Sequence, residues 1–277
     1  MRIQKIQNNN PTNFKAGLTS KMKSEIASCD VCKITNEMKR MGIPANFKDN
    51  KVLAWCTLKS IEIIKFLNEN YGLKLGLPRG IIVENFNILR NANFESDAFC
   101  NAIPTNIYQG DNFVLPENII FFNEHPEFNY SGGNKFWEKI DEYSDWNYEN
   151  NTTSSNSFLE IFLHEFSHAI HNKNLLNQLG EEAYIDKYID SLDTNFIHNF
   201  QKKYGKFFSK LCQYAGTTPF EAIACDLGKR IVEGLDKNTL LPENNILLNS
   251  PYTEKPVIIV KSEYDEIVKN LFNGNFD

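Results

Sequence analysis

The order of hydrophobic and polar positions predicts helices at the start of the chain and short strands after them. Residues 1–18 are polar, rich in asparagine and without periodicity, which is typical of a disordered arm. Apolar residues recur at helical spacing over residues 19–42 and more strongly over 51–70. Two short apolar runs, Gly80–Glu84 and 118–123, then predict strands. The first half of the chain therefore predicts both helix and sheet.

The second half is predicted to be mostly helical. A weaker strand is predicted at residues 107 and 108, and residues 131–156, with paired glycines and two tryptophans, indicate a long connection at the border of a cleft. Two helices are predicted within 180–213, and an apolar run at 256–260 indicates a late strand before a short helix. These elements predict one α+β domain over residues 19–277, dominated by helices, with a small mixed sheet and a cleft between the sheet and the C-terminal helices.

One predicted helix carries the most informative residues of the chain. A polar stretch ends at Ser157, and a capping box formed by Ser157 and Glu160 is predicted to start the helix. His164, Glu165 and His168 then form the arrangement His-Glu-x-x-His. A separate apolar face is formed by Leu159, Phe162, Leu163, Phe166 and Ile170. The motif is therefore expected on an amphipathic helix buried on one side, the alternative being a surface helix with unrelated histidines.

The two histidines have the spacing of a metal-binding pair. Residues four apart on a helix project to the same side, so His164 and His168 can hold one Zn²⁺. Glu165 can then act as general base on a metal-activated water, so a metal at this site predicts a hydrolase. His171 shares this face one turn further along, beyond the metal. It is expected either to line the pocket or contact a carboxylate, or to be exposed to solvent.

A third metal ligand is needed, because a catalytic zinc usually takes three protein ligands and leaves the fourth position to water. An extended three-histidine pattern fails, since position 174 is Asn and position 171 lacks the required turn glycine. The other option is a later glutamate. Glu221 opens a predicted helix, with Thr218 as its N-cap and Pro219 at its first position. The structural alternative is that Thr218 and Glu221 simply form a capping box.

These residues together resemble the gluzincin clan of metallopeptidases. His164-Glu165-x-x-His168, followed by Thr-Pro-x-Glu221-Ala-x-Ala, is most similar to the branch that contains lethal factor and the bacterial Pro-Pro endopeptidases. The likeness is at the level of motifs and does not extend to the N-terminal third. It implies a zincin-like fold whose active-site helix carries the histidines. It also implies Zn²⁺ as the cofactor, Glu221 as the third ligand, and peptide-bond hydrolysis with Glu165 as general base.

The resemblance also assigns roles around the metal. In this branch a tyrosine seven residues before the third ligand faces the substrate carbonyl, and that position is Tyr214 here. An acid usually stands four residues after the ligand, behind the metal. This chain has Cys225 there, and Asp226, the next residue, is the candidate replacement. The strand at 118–123 would be the edge strand that binds an extended substrate; the alternative is an ordinary core strand.

The leading functional hypothesis is a zinc endopeptidase acting on peptides or proteins. A narrower alternative is an effector protease that cleaves one dedicated protein. A different class is a catalytically silent zincin-like module that binds a partner and keeps zinc as a structural element. An accidental motif without metal is the last alternative.

The composition of the chain excludes some classes of binding partner. The net charge of −6 and the pI near 5.5 argue against nucleic acid, which requires clustered basic surface. No apolar run approaches the length of a membrane span, and the start of the chain lacks the apolar core of a secretory signal. A cytoplasmic location is therefore the default expectation, with non-classical secretion as the alternative. Nothing in the sequence indicates the oligomeric state.

The six cysteines do not indicate a second metal site. Cys29-x-x-Cys32 has the spacing of a zinc or redox pair, but no second pair accompanies it. Reduced and largely buried thiols are the expectation, and disulfides are the alternative if the chain is secreted.

Overall fold

The protein is described by a computed structural model. The structure describes residues 18–90, 96–108, 113–124, 128, 130–155, 157–236, 239–243, 250–252 and 262–276. The predicted arm up to residue 17 and the predicted strand at 256–260 lie outside these ranges. Leu18, the last residue of the predicted arm, is described and is buried.

Three helices form the N-terminal part: α1 (Ser20–Ser28), α2 (Val31–Arg40) and α3 (Lys51–Tyr71). The helical pattern predicted over 19–42 is interrupted at Cys29, whose backbone is extended (φ −68°, ψ 146°). Asp30 then caps α2 by accepting a backbone hydrogen bond. The helix predicted over 51–70 is confirmed as α3, and it ends at Gly72, which has a φ of +66°.

Four strands form one mixed sheet: β1 (Ala45–Asn46), β2 (Gly80–Glu84), β3 (Ala98–Cys100) and β4 (Ile119–Asn123). Their order is β1-β2-β4-β3, with the first three parallel and β3 antiparallel to β4. A 3-10 turn at Phe86–Ile88 follows β2.

The strand predictions were partly right. Strand β2 has the predicted bounds, and β4 fills the predicted strand at 118–123. Because β4 lies inside the sheet, the edge-strand prediction for it is wrong and the core-strand alternative is right. The edge beside it is β3, in which Phe99 pairs with Phe121. Within the described residues the predicted strand at 107 and 108 does not form, and Tyr108 makes an isolated bridge with Leu89.

The C-terminal part contains α4 (Asn134–Glu149), α5 (Phe158–Leu179), α6 (Glu181–Asp190), α7 (Thr194–Phe208), α8 (Pro219–Glu233) and α9 (Glu263–Phe272). The two helices predicted within 180–213 are confirmed as α6 and α7. The segment predicted as a long connection over 131–156 is mostly the helix α4, so its secondary structure was predicted wrongly, while its position at the border of a cavity is confirmed by Trp146 and Thr152. Phe136, Ile140 and Ser144, spaced by four residues, are buried on one face of α4.

Helix α5 is the central element. It packs against α8, α3 and strands β3 and β4, and Phe162 lies 5.0 Å from Phe122 of β4 between ring centroids. Helix α8 approaches α5 closely at Gly228, where a Cβ would lie 3.4 Å from the backbone nitrogen of His164, in van der Waals contact. The buried core extends from Leu18 to Phe276. The α+β prediction is confirmed as a helix-rich fold with a small mixed sheet.

Candidate metal centre

Helix α5 presents the two histidines on one side, as predicted. It begins directly after Ser157, and the Nε2 atoms of His164 and His168 are 3.2 Å apart. The predicted capping box is wrong, because Ser157 makes no side-chain cap. The Glu160 carboxylate instead accepts hydrogen bonds from the backbone N–H of Ser154, at 2.6 Å, and from its hydroxyl. The helix start is therefore stabilised from the preceding loop.

Helix α8 brings Glu221 to the histidines. Thr218 is its N-cap and accepts a hydrogen bond from the Glu221 backbone N–H at 3.2 Å, with Pro219 in the first turn. The Glu221 carboxylate points to α5: Oε2 lies 3.3 Å from His164 Nε2 and Oε1 lies 3.4 Å from His168 Nε2. One ligand atom from each of these three residues lies within 4.8 Å of the other two. The three side chains form a group that could hold a metal ion.

The side chains of His164 and Glu221 shift each other's pKa. Burial lowers the pKa of His164, but the hydrogen bond and charge of Glu221 outweigh it and raise this pKa to about 9. Burial raises the pKa of Glu221, yet the neighbouring charges of His168 and His164 bring it below its ordinary range. Without a metal, a proton therefore links His164 to Glu221. Metal binding has to displace that proton, since ligand histidines are neutral.

Glu165 is the second carboxylate beside the histidines. It is buried and lines the same cavity, and its Oε2 has no hydrogen-bond partner within the described part of the chain. Burial raises its pKa, while the charges of His164 and His168 oppose that rise. A carboxylate with a raised pKa is a stronger proton acceptor than an exposed one.

The group opens into a cavity of about 1150 Å³. The edge strand β3 forms one wall, and helices α4, α5, α6 and α8 contribute to the others. Large side chains around it include Phe99, Tyr143, Trp146, Tyr188 and Leu192. The sequence did not predict β3 as a wall, because its three residues are too few to show a period.

Two of the tyrosines that line this cavity, Tyr214 and Tyr188, lie near the metal-binding group. Tyr214, predicted from the resemblance, lines it with 46% of its surface exposed, and its carbonyl accepts hydrogen bonds from the N–H and hydroxyl of Thr217. Tyr188 of α6 was not predicted. Its ring packs edge-on against Phe220 at 5.1 Å, and burial, followed by the charge of Glu221, raises its pKa. No spacing in the sequence connects Tyr188 to the motif.

Asp226 does not take the place behind the metal group. Its buried carboxylate accepts hydrogen bonds from Arg230 (2.8 Å), Tyr252 (2.7 Å) and Tyr264 (2.6 Å), and it is not among the residues that line the cavity. The rotation of α8 turns Asp226 toward α9 instead. The contact with His164 Nδ1 is made by the Cys225 sulfur at 3.7 Å. The suggestion that Asp226 replaces the acid is therefore corrected.

His171 neither lines the pocket nor faces solvent, so both expectations for it are corrected. It is completely buried, with Nε2 3.2 Å from the Leu271 carbonyl. Its ring stacks on Phe272 at 5.6 Å and lies 5.1 Å from Phe220. At this level of α5 the ligand-bearing face is covered by α8 and α9, so His171 contributes to packing.

The remaining cysteines form no second centre. All six are free thiols; Cys29 donates a hydrogen bond to the Lys51 carbonyl at 3.6 Å, and Cys32 is exposed. Within the ranges that the structure covers, the only convergent group of metal-binding side chains is that of His164, His168 and Glu221.

A scan against protein-family models and searches of curated proteins and of solved structures each found no match. The described helices include none with both the length and the apolar character needed to cross a bilayer. The resemblance to gluzincins therefore stays a prediction from the motif residues.

Proposed function

We propose that the protein is a zinc-dependent metallopeptidase that hydrolyses peptide bonds with Glu165 as general base. The observation that supports this best is the convergence of three side chains. The histidine Nε2 atoms are 3.2 Å apart, His164 Nε2 lies 3.3 Å from Oε2 of Glu221, and His168 Nε2 lies 3.4 Å from Oε1. Tetrahedral zinc with bonds of about 2.0–2.1 Å places neighbouring ligand atoms about 3.3–3.4 Å apart. The donor spacing is therefore close to that around zinc, and the two imidazoles with one Glu221 oxygen would leave a fourth position for water or substrate.

The chemistry of the donors also favours zinc. Two imidazoles and one carboxylate are typical of catalytic zinc, whereas calcium and magnesium prefer sets of oxygen ligands. A zinc ion held by His164, His168 and Glu221 would supply a Lewis acid that polarises a carbonyl and makes water more acidic.

Glu165 and Tyr214 carry the remaining steps. Glu165 takes the proton of the attacking water and returns it to the leaving amine, a role that its burial and its unpartnered oxygen support. Tyr214, at the cavity wall, donates a hydrogen bond to the developing oxyanion. A single donor of this kind contributes about 3 kcal/mol to the transition state.

Strand β3 is the proposed substrate platform. It pairs with β4 on one side, and no strand among the described residues pairs with its other side. Ala98, Phe99 and Cys100 all line the cavity. An extended peptide can bind such an edge through its backbone, as one more strand. The cavity volume of about 1150 Å³ has room for several residues of that peptide.

Metal analysis combined with a peptide library tests the proposal. The wild type, Glu165→Gln and Glu182→Gln, a matched change at an exposed glutamate of α6, are purified without chelators. We expect one zinc per chain in all three. Cleavage is expected from the wild type and Glu182→Gln, with a loss of at least about 100-fold in Glu165→Gln.

The other outcomes separate the alternatives. Stoichiometric zinc without cleavage of any peptide by the wild type would favour the silent binding module. Cleavage of a single protein but of no library peptide would favour the dedicated effector protease. Absence of zinc, with no difference between the wild type and His164→Ala, would refute the metal centre.

A further inference from the structure

A sulfur atom lies behind the first histidine. Cys225 of α8 has its Sγ 3.7 Å from Nδ1 of His164 on α5. A neutral histidine that offers Nε2 to a metal carries its hydrogen on Nδ1. That N–H then donates to the sulfur of Cys225. Ligand histidines depend on such a partner, because it fixes the tautomer and the orientation of the ring.

A second thiol extends this contact. Cys212 lies beside Cys225, and its carbonyl accepts a hydrogen bond from the backbone N–H of Ala215 at 3.3 Å. Both cysteines are only 2% exposed. Cys212 lies two residues before Tyr214. The two thiols therefore connect His164 with the turn that carries the proposed oxyanion donor.

Close packing of α5 and α8 sets the distance that the sulfur spans. Gly228 lies three residues after Cys225 on the same side of α8, and a Cβ there would lie 3.4 Å from the backbone nitrogen of His164. The helix backbones are therefore held near contact. A serine hydroxyl at position 225 has a shorter bond to Cβ than the thiol and would remain beyond the usual hydrogen-bond distance of about 2.7–3.2 Å.

We propose that Cys225, supported by Cys212, is the positioning residue that holds His164 in its metal-binding orientation and links it to the Tyr214 turn. This inference rests on the proposed function, since it requires a metal at His164 Nε2. A pair of cysteines would here orient the histidine, which is the role that the resemblance assigns to a carboxylate.

Zinc affinity tests the inference. The zinc dissociation constant is measured by competition with a chromophoric chelator for the wild type, Cys225→Ala, Cys225→Asn and Cys212→Ala. Cys56→Ala removes a buried thiol of α3 that does not line the cavity, and is the control. We expect Cys225→Ala to weaken zinc binding about tenfold or more and Cys56→Ala to leave it unchanged.

The other variants test whether Cys225 acts as a hydrogen-bond acceptor for His164 or only fills space beside it. Cys225→Asn should recover most of the lost affinity, because its amide oxygen extends beyond the position of the sulfur and accepts the same N–H. Cys212→Ala should weaken binding less than Cys225→Ala. The double alanine variant should lose less than the product of the two single effects, because the thiols act as one unit.

Cobalt supplies a second readout that is independent of activity. The visible spectrum of the Co²⁺ protein reports ligand geometry, and it should change in Cys225→Ala and return toward the wild type in Cys225→Asn. A wild type that binds metal, together with a Cys225→Ala variant of unchanged affinity and spectrum, overturns this inference alone. Equal losses in the alanine and asparagine variants overturn it as well. A wild type that binds no metal refutes the proposed function and this inference with it.

Discussion

Acid is expected to weaken the fold through His171. The side chain is completely buried between Phe220 and Phe272, and its only hydrogen bond among the described residues is that of Nε2 to the Leu271 carbonyl. Burial lowers the pKa of His171 from 6.5 to about 3. Between these values the unfolded chain takes up a proton at His171 and the folded protein does not.

This difference in proton uptake sets the sign and the size of the effect. Because the folded-state pKa is depressed, the stability that neutral His171 contributes is present above pH 6.5 and is lost as the pH falls toward 3. Between pH 7 and pH 5 the loss is about 2 kcal/mol, and by pH 4 it is about 3 kcal/mol. Net stabilities of folded proteins are about 5–15 kcal/mol, so this loss is measurable.

The assay compares metal-free wild type with His171→Phe. Phenylalanine keeps a ring between the two aromatic neighbours and cannot take up a proton, but it leaves the Leu271 carbonyl without its donor, at a cost of about 1–3 kcal/mol. The free energy of unfolding in urea is measured at pH 7, 6 and 5. The variant should be less stable at pH 7 and less sensitive to acid.

An exposed histidine provides the control. His198→Gln on α7 should leave the pH dependence as in the wild type. The titration of His164 is common to all three proteins and cancels in the comparison. An equal loss of stability between pH 7 and pH 5 in the wild type and in His171→Phe would refute the reasoning.

Two further predictions concern the metal centre and the network beside it. Zinc affinity should fall as the pH decreases below about 9, because His164 must release the proton that it shares with Glu221. Competition with a chelator between pH 6 and pH 9 measures this affinity, and an affinity that does not change with pH would contradict the prediction. Asp226→Asn should lower the free energy of unfolding by about 1–3 kcal/mol, since Arg230 loses its buried counter-charge and keeps only the more exposed Asp265. Thermal unfolding measures this loss, and a loss no larger than that of the exposed control Asp190→Asn would argue against it.

The helices that carry the candidate site were predictable because their patterns are local. The apolar face and the histidine spacing of α5 are contained within the helix itself, and Thr218 with Pro219 indicates the start of α8 in adjacent residues. Local geometry is also enough to place His164 and His168 on one side. The approach of Glu221 was predicted from the resemblance, and the contacts agree with it.

The elements that were missed lack a local pattern. Strand β3 has three residues, and its pairing with β4 depends on a chain segment about twenty residues away. Helix α4 is rich in polar residues and follows two glycines. Its few buried positions therefore produce only a weak helical pattern of apolar residues in the sequence. Both elements are defined by the surfaces against which they pack.

Two site assignments failed for a related reason. His171 lies on the same face of α5 as the two histidine ligands, but α9 covers that part of the helix. Burial by a helix that is distant in sequence cannot be derived from residue spacing. Asp226 and Cys225 are neighbours, and their roles depend on how α8 is rotated about its axis. In the observed rotation Asp226 meets partners from elsewhere in the chain, Tyr252 and Tyr264, which its sequence position does not reveal.

The rotation of α8 links the Asp226 network to the metal centre. Glu221 and Cys225, four residues apart, face α5, while Asp226 faces Tyr264 of α9. A carboxylate about 6 Å from a helix axis moves by about 1 Å when the helix turns by about 10°. Metal–ligand distances tolerate only about 0.2 Å. The buried hydrogen bonds of Asp226 therefore hold Glu221 in register with the histidines, and Asp226→Asn should weaken zinc binding without touching a ligand.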